Sequence, residues 1–197
     1  MSLVQGIETR LYQEMLFMEA KDSNSLVVLP TGLGKTIVIL YLTAYFHKLD
    51  PNKKILIATP TKPLVHQIGE TFKEYLKVDP EIIIEVAGSI PPAKRQELYG
   101  SGKIFVGTPQ TFSNDFDTDK LNPQDFSLLC FDEAHRSTGN YAYVKIVRNF
   151  FDFNLDPRII GFTATPGNKP EAIERVIQNL HIESICSRFP DDSRDCR

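Results

Sequence analysis

Residues 29–36, with the sequence Leu-Pro-Thr-Gly-Leu-Gly-Lys-Thr, constrain the fold of this chain more than any other segment. They follow a short apolar run at 26–28 and precede a second one at 37–40, an order that predicts a strand, a tight loop and then a helix. Gly32 and Gly34 permit backbone angles that a Cβ disfavours, so successive N–H groups can turn towards an anion at the positive end of the helix. The segment therefore predicts a phosphate-binding loop.

The loop also carries the side chains that a nucleoside triphosphate site needs. Lys35 is placed to reach the β- and γ-phosphates, and the hydroxyl of Thr36 can ligate Mg²⁺. The usual pattern has a glycine where Leu29 stands, which leaves a glycine turn with a solvated lysine as the alternative. The predicted cofactors are ATP and Mg²⁺, and the predicted nucleotide-binding residues of the loop are Pro30, Thr31, Gly32, Leu33, Gly34, Lys35 and Thr36.

Apolar runs downstream of this loop alternate with helix-like segments. Strands are predicted at 55–58, 82–86, 104–106, 126–131 and 158–162, and helices at 64–76, 93–99, 110–114, 141–151 and 171–180. The strand runs are nearly continuous in apolar residues rather than alternating, which is typical of parallel strands covered on both faces. We therefore expect an α/β fold with a mostly parallel central sheet and helices on both faces.

A second candidate site follows the apolar run 126–131, where the sequence is Asp-Glu-Ala-His. Because ligands collect at the carboxyl ends of parallel strands, these side chains are expected at the same edge as the phosphate loop. Asp132 can hold Mg²⁺, Glu133 can orient and deprotonate an attacking water, and His135 can hydrogen-bond to another motif. An exposed acidic turn is the alternative. The predicted catalytic residues are Lys35, Asp132, Glu133 and His135, and the predicted metal ligands are Thr36 and Asp132.

Several expectations concern packing. Segment 114–125 is polar and is predicted to be a surface loop, while Cys130 lies in an apolar run and is predicted to be a core residue. A first helix is predicted to be capped by Thr9 and to carry, on one face, Leu11, Met15 and Met18. The aromatic side chains assigned to packing rather than to stacking on bases are Phe150, Phe151 and Phe153.

Composition limits the class of protein. The formal net charge is −3, so any nucleic-acid contacts must come from local groups rather than from an overall basic surface. Three cysteines without metal-ligand spacing indicate a reducing compartment, and the apolar stretch 37–46 is too short to cross a bilayer. We expect a cytoplasmic protein with no membrane partner, one domain at 1–187, and the start of a linker to a second domain at 188–197.

Together, these motifs resemble those of superfamily 2 helicases of the DEAH type. The phosphate loop is similar to motif I, which often lacks the first glycine in that superfamily, and 132–135 is similar to motif II. Residues 59–67, 107–111 and 163–166 resemble motifs Ia, Ib and III in the expected order. The resemblance covers almost the whole chain and points to the archaeal Hef and Fanconi-anaemia M group of DNA-remodelling helicases, which usually has serine where Thr165 stands. The phrases that carry it include Pro-Thr-Lys-Pro-Leu-Val, Thr-Pro-Gln-Thr and Gly-Asn-Tyr-Ala-Tyr.

The resemblance implies roles for further residues. The chain would be a first RecA-like motor domain, in which an adenine-recognising element is formed by Arg10, Tyr12 and Gln13. Motif III would couple the carboxylates to the nucleic-acid face through Thr163 and Thr165. The residues that would contact the nucleic-acid backbone are Thr61, Lys62, Pro63, Thr108 and Gln110, with added contacts from Gly88, Ser89 and Arg95. The alternative is that these residues only cap strand and helix ends.

The resemblance also implies a function, that of an ATP-dependent helicase or translocase that remodels forked or branched DNA. The expected partner is nucleic acid, with DNA favoured over RNA, and in an archaeal cell the protein would be associated with the nucleoid. A second RecA-like domain of the full-length chain would supply arginine fingers, so this chain alone is expected to bind nucleotide weakly and to hydrolyse it very slowly. The alternative is a nucleotide-gated module that senses double-stranded RNA or DNA and hydrolyses ATP without separating strands.

Overall fold

The structure, a computed structural model, describes residues 3–153, 155–165 and 170–188 of the 197-residue chain. The helices are α1 (Leu11–Ala20), α2 (Lys35–Leu49), α3 (Lys62–Tyr75), α4 (Pro92–Ser101), α5 (Pro109–Asp117), α6 (Ala142–Phe151) and α7 (Pro170–Asn179). The strands are β1 (Ser25–Val28), β2 (Lys54–Ala58), β3 (Ile83–Val86), β4 (Ile104–Gly107), β5 (Phe126–Asp132), β6 (Arg158–Thr163) and β7 (Ser184–Ser187). Short 3₁₀ turns lie at Pro80–Ile82, Pro123–Asp125 and Ala134–Arg136.

In the described part of the chain, seven strands form one sheet in the order β3-β4-β2-β5-β6-β1-β7. Every pair of neighbouring strands is parallel. The α/β fold with a parallel sheet, expected from the sequence, is therefore confirmed. Each strand and helix predicted downstream of the phosphate loop is present, whereas β7 was not predicted, because its sequence Ser-Ile-Cys-Ser contains a single aliphatic side chain.

Alternate residues of each strand belong to two separate cores, because successive side chains of a strand point to opposite faces. In β2, Ile55 and Ile57 pack against the core under α1, α2 and α3, whereas Leu56 and Ala58 belong to the core under α4, α5 and α6. Cys130 is fully buried in the first core, as predicted, and burial raises the pKa of its thiol. Because both faces are covered, the strands must be apolar at nearly every position.

Helix α1 turns a different face to the core from the one that its apolar spacing suggested. Leu11, Met15 and Met18 are 56%, 43% and 53% exposed. The buried face instead carries the aromatic side chains Tyr12 and Phe17, which bury more apolar area than the methionines would. Arg10 rather than Thr9 occupies the N-cap position of the helix. The side chains that complete the buried face are Gln13, Leu16 and Ala20.

Two other packing predictions are partly wrong. Segment 114–125 is not simply a surface loop, because α5 continues to Asp117 and the carboxylate of Asp115 is buried. Among the aromatic residues of α6 and the turn after it, Phe150 is fully buried and Phe151 stacks on the ring of His181 at 3.6 Å, but Phe153 is 60% exposed. Asp115 can be buried because it is paired, as charged residues inside proteins usually are. Phe153 follows the end of a helix and can therefore lie outside the core.

Parts of the sequence interpretation lie outside the described residues. These are the last residue of motif III, Pro166, and the proposed linker start at 188–197 apart from Arg188. None of the helices in the described ranges has the length and apolar character needed to cross a membrane.

Candidate nucleotide site and nucleic-acid face

The phosphate loop connects β1 to the first residue of α2, at the carboxyl edge of the sheet. Gly32 and Gly34 have φ values of +85° and +79°, in the left-handed region that glycine tolerates. A Cβ on Gly34 would lie 2.4 Å from Gln13 Nε2, so a larger residue would be strained at this φ and would also have to displace the Gln13 amide. The N-terminal end of the 15-residue helix α2 therefore faces an open loop, which is the geometry that binds phosphate.

Two of the three predicted adenine-recognising residues contact this loop directly. Tyr12 Oη donates to the carbonyl of Leu33 at 2.8 Å, and Gln13 Nε2 donates to the same carbonyl at 3.2 Å. The exposed guanidinium of Arg10 donates to Tyr12 Oη at 3.3 Å, and its backbone N–H donates to Gln13 Oε1 at 3.0 Å. The three side chains thus hold the beginning of α1 against the phosphate loop.

A cavity of about 330 Å³ lies beside the loop and is large enough for part of a nucleotide. Arg10, Tyr12 and Gln13 line it together with the loop glycines. Sequence reasoning missed five further lining residues, for which no motif gave a signal: Gly6, Ile7, Glu8, Ile37 and Tyr75. A larger cavity of about 550 Å³ between α1 and α2 is lined mostly by apolar side chains and does not include the loop.

Two carboxylates at the end of β5 lie beside the lysine of the loop. Lys35 Nζ is 3.4 Å from Glu133 Oε1 and 3.8 Å from Asp132 Oδ1, across 98 residues of sequence in the first case. Thr59, at the end of β2, donates to Asp132 Oδ2 at 3.0 Å. Burial raises the pKa of Asp132, and the nearby Lys35 ammonium and the Thr59 hydroxyl oppose that rise. The two sequence motifs therefore form one cluster at one edge of the sheet.

His135 links the carboxylates to the end of β6. Its Nδ1 lies 3.3 Å from Glu133 Oε2 and 3.1 Å from Thr163 Oγ1. The Thr163 hydroxyl donates to the carbonyl of Thr165 at 2.7 Å, so its oxygen is left to accept a hydrogen bond from His135 Nδ1–H. The contacts therefore favour the Nδ1–H tautomer and join motif II to motif III.

Tyr143 is a buried residue to which sequence reasoning gave no role. Its Oη lies 2.5 Å from the carbonyl of Asp132 and 3.1 Å from that of Ala58, at the ends of β5 and β2. Burial raises the pKa of Tyr143, so the hydroxyl remains a donor. The Gly-Asn-Tyr-Ala-Tyr phrase was the available signal, because it follows the carboxylates closely. Tyr143 fixes the ends of two strands that carry separate motifs.

The predicted nucleic-acid contacts lie at two helix N-termini on the same edge of the sheet. Thr61 is the N-cap of α3, and Lys62 and Pro63, the first residues of that helix, are exposed. Thr108 is the N-cap of α5, and Gln110 is exposed in its first turn. Since β2 and β4 are neighbours, the two N-termini open side by side, with free N–H groups that suit phosphate oxygens.

In the third group of predicted nucleic-acid contacts, two residues are exposed and one is buried. Gly88 and Ser89 are exposed in the loop between β3 and α4. Arg95, by contrast, is only 7% exposed and is paired with Asp115. The prediction that Arg95 contacts phosphate is wrong as a direct contact, because its guanidinium is already enclosed.

One other group of possible metal ligands occurs in the described ranges, on α3 and β3, and consists of His66, Glu70 and Glu85. Lys73 Nζ lies 3.0 Å from Glu70 Oε1 and 2.8 Å from Glu85 Oε1. The ammonium therefore already neutralises both carboxylates, and the group is explained as an ion-pair network.

Comparisons with known proteins agree with this geometry. The family model described as "Type III restriction enzyme, res subunit" matches residues 5–168. The putative ATP-dependent RNA helicase MJ1505 of Methanocaldococcus jannaschii is 41% identical over 94% of this chain, which corresponds to 23% of that protein. The ATP-dependent DNA helicase fml1 of Schizosaccharomyces pombe is 40% identical over 91% of this chain and 22% of its own length.

A solved structure is similar as well. The crystal structure of the Pyrococcus furiosus Hef helicase domain matches with a TM-score of 0.88 and 42% identity, over 95% of this chain and 39% of that chain. The chain therefore spans less than a quarter of each of the two relatives and less than half of the solved helicase domain.

Proposed function

Because the chain belongs to the family of superfamily 2 helicase N-terminal domains, we propose that it is the first motor domain of an ATP-dependent helicase or translocase. One observation carries this proposal: Lys35 Nζ lies 3.4 Å from Glu133 and 3.8 Å from Asp132. A phosphate-binding lysine and a carboxylate pair that face one space are the parts that phosphoryl transfer to water requires.

The residues present fit Mg²⁺, which prefers oxygen ligands and few protein carboxylates. Thr36, in the first turn of α2, offers a hydroxyl, and Asp132 offers a carboxylate whose second oxygen is held by Thr59. When bound, Mg²⁺ neutralises charge that develops on the β- and γ-phosphate oxygens. The raised pKa of Asp132 supports this role, because a carboxylate that is costly to ionise in a buried place gains most from a cation.

The chain's own groups divide the remaining work. Lys35 and the N–H groups of the loop bind the phosphates, and Glu133 accepts a proton from the attacking water. Glu133 is held for this task at both carboxylate oxygens, with Lys35 on one side and His135 on the other. The contact of His135 with Thr163 gives motif III a direct connection to this carboxylate, which supports a coupling role for Thr163 and Thr165.

We propose that Thr61, Lys62, Pro63, Thr108 and Gln110 hold the phosphate backbone of one nucleic-acid strand. Contacts of this kind position a strand without reading its bases, so we expect little sequence preference and strong salt dependence. DNA is favoured over RNA, because fml1 and other relatives are described as DNA helicases. MJ1505 is described as an RNA helicase, so RNA remains the competing substrate to be tested.

Motion would come from a second RecA-like domain in the longer protein. ATP and Mg²⁺ would draw the two domains together, and hydrolysis would let them part, so that alternating grip moves the motor along the strand. The missing arginine fingers are worth about 10³–10⁵ in rate in related phosphate-loop enzymes. This chain alone should therefore bind nucleotide weakly and hydrolyse it very slowly.

Calorimetric titration of this chain with a non-hydrolysable ATP analogue tests the nucleotide site. Lys35→Ala should abolish detectable binding, whereas Lys94→Ala, which removes an exposed lysine of α4, should leave the affinity unchanged. Equal affinities for the wild type and Lys35→Ala would overturn the proposed nucleotide site. Robust DNA-stimulated ATP hydrolysis by this chain in isolation would overturn the two-domain mechanism.

Strand displacement on forked DNA by the full-length protein separates the two functional classes. A helicase releases the displaced strand in an ATP-dependent reaction. Hydrolysis that is stimulated by duplex RNA or DNA without any displacement would instead identify a nucleotide-gated sensing module.

A further inference from the structure

Arg95 and Tyr99 of α4 and Asp115 of α5 form a buried polar cluster. Arg95 Nε lies 2.6 Å from Asp115 Oδ2 and Arg95 Nη2 lies 2.6 Å from Oδ1, as in a bidentate pair. Tyr99 Oη donates to Asp115 Oδ2 at 2.6 Å. The side chains of Arg95 and Asp115 are 8% and 1% exposed, so no phosphate can reach the guanidinium without displacing the carboxylate.

The same guanidinium holds a third part of the chain. Arg95 Nη1 donates to the carbonyl of Ile90 at 2.5 Å, in the loop 87–91 that connects β3 to α4. Arg95 therefore ties this loop to α5 through Asp115. Burial and Asp115 raise the pKa of Tyr99, which keeps its hydroxyl protonated as a donor to the cluster.

Both segments that Arg95 joins carry residues predicted to contact nucleic acid. Loop 87–91 exposes Gly88 and Ser89, and the first turn of α5 carries Thr108 and Gln110. The two segments are packed together, because a Cβ on Gly88 would lie 3.4 Å from Thr111 Oγ1. The hydroxyls of Thr108 and Thr111 lie 2.8 Å apart at this junction.

A buried ion pair adds little to the stability of the fold, because desolvation of both charges offsets most of their attraction. Its geometry, however, is specific: a guanidinium fork fits a carboxylate in one plane only, and a lysine cannot reproduce that arrangement. A cluster of this kind fixes the relative position of the elements it joins.

We propose that Arg95, with Asp115 and Tyr99, is a positioning residue for nucleic-acid binding. It holds loop 87–91 and the first turn of α5 as one surface that accepts the phosphates of a single strand. Arg95 acts without touching the strand. The inference rests on the proposed function, since it assigns a support to the contacts proposed there.

Arg95→Lys in the full-length protein tests this, because it keeps the positive charge and removes the fork. Single-stranded DNA binding should weaken at least about tenfold, as expected for the loss of one hydrogen bond to a charged group. The slope of log affinity against log salt concentration should stay as in the wild type, because the groups that this surface offers to phosphates are uncharged and displace no counterions. Affinity for the ATP analogue should change less than twofold, because the nucleotide site lies elsewhere on the sheet edge.

The control is Asn24→Ala, a buried polar residue at the opposite edge of the sheet whose Oδ1 accepts from the backbone N–H of Ile159 at 2.9 Å. It should lower the melting temperature while leaving DNA affinity and the salt slope unchanged. If Arg95→Lys does not fold, Tyr99→Phe decides, because it removes a single hydroxyl of the cluster and should produce a smaller loss of DNA affinity.

Wild-type DNA affinity in Arg95→Lys, or in Tyr99→Phe where that variant decides, would overturn the inference. An equal loss of DNA affinity in Asn24→Ala would also overturn it, since general destabilisation would then explain the effect. If the wild-type protein binds no DNA or RNA, the proposed function fails together with this inference. If it binds, and Thr108→Ala weakens binding while Arg95→Lys does not, this inference alone fails.

Discussion

Two clusters in this molecule each pair a basic side chain with acidic ones, and their geometries differ. The first is Lys35 with Asp132 and Glu133, and the second is Arg95 with Asp115. Lys35 lies 3.4 Å from Glu133 and 3.8 Å from Asp132, distances at or beyond the limit of a hydrogen bond, and the Glu133 side chain is 30% exposed. Arg95 instead makes two contacts of 2.6 Å with Asp115, which is 1% exposed. One cluster is loosely paired and open, and the other is tightly paired and closed.

The difference separates groups that bind a ligand from groups that support one. The Lys35 ammonium has three donors and only one oxygen within 3.5 Å among the carboxylates, so it retains capacity for phosphate oxygens. Both oxygens of Asp115 are hydrogen-bonded at 2.6 Å, Oδ1 to Arg95 and Oδ2 to Arg95 and Tyr99. We conclude that incomplete pairing at a sheet edge indicates a binding site, whereas complete pairing beneath it indicates a support.

Glu133→Gln should produce the largest change, and it should affect the rate of reaction rather than stability. ATP hydrolysis by the full-length protein should fall about 10²–10⁴-fold, because the proton acceptor for water is lost. The free energy of unfolding of this chain should change by less than about 1 kcal/mol, as for a loose, partly exposed ion pair. Glu97→Gln, at an exposed position on α4, serves as the control and should alter neither quantity. Unimpaired hydrolysis in Glu133→Gln would remove the distinction between the two clusters.

Asp115→Asn should produce the opposite pattern. Leaving the buried guanidinium of Arg95 without its carboxylate should lower the free energy of unfolding by about 3–5 kcal/mol, measured by urea denaturation. Asp125→Asn is the matched control, because Asp125 also forms an ion pair, with Lys54 at 2.8 Å, but its side chain is 41% exposed. That control should cost less than about 1 kcal/mol. Equal losses in the two variants would show that enclosure does not matter here.

Gly34→Ala tests whether the loop beside the open cluster must keep its shape. The φ of +79° costs a residue with a Cβ about 1–2 kcal/mol, and the Cβ would meet Gln13 Nε2 at 2.4 Å. Affinity for the ATP analogue should fall roughly tenfold or more in calorimetric titration. Gly100→Ala, in α4 with open space around it, should leave that affinity unchanged and stabilise the chain by about 0.5–1 kcal/mol.

On stability, Asp132→Asn should have a small effect, in the direction of an increase. Burial raises the pKa of Asp132, so its stabilising contribution is complete below the pKa of the unfolded chain and is lost as pH rises through the folded value. At pH 7 the variant should therefore melt at a higher temperature, by about 2–4 °C for each kcal/mol. The difference should vanish below about pH 4, where the wild-type carboxyl is protonated in both states. A lower melting temperature at pH 7 would contradict this account.

The sequence predicts the open cluster better than the closed one, for a physical reason. The loop that ends at Lys35 follows one continuous apolar run and Asp132 ends another, and parallel strands bring such ends to one edge whatever the detailed packing. Arg95 in the sequence is an ordinary basic residue close to a motif. Its enclosure depends on Asp115, 20 residues away in a polar segment, and no local pattern predicts that pairing.

Local sequence patterns also fail to predict which face of a helix is buried and which residues line the cavity beside the phosphate loop. Leu11, Met15 and Met18 have helical spacing, yet the orientation of α1 follows its contacts with α2 and the larger area that Tyr12 and Phe17 bury. Tyr75 lines the cavity because α3 ends beside the segment that precedes α1, as its carbonyl accepts from Gln5 N at 3.0 Å. Such proximities come from tertiary packing, which periodicity does not encode.

The position of β1 between β6 and β7 has a consequence for biosynthesis. Near the start of β1, Asn24 bonds to a residue 135 positions later and Ser25 to one 159 positions later. At about 5–20 residues per second, a ribosome needs roughly 7–30 s to make those partners after it makes β1. During that interval β2, β3 and β4 can pair with one another. The hydrophobic strand β1, which precedes the phosphate loop, has neither of its partner strands β6 and β7. We expect this strand to be the segment that molecular chaperones shield on newly made chains.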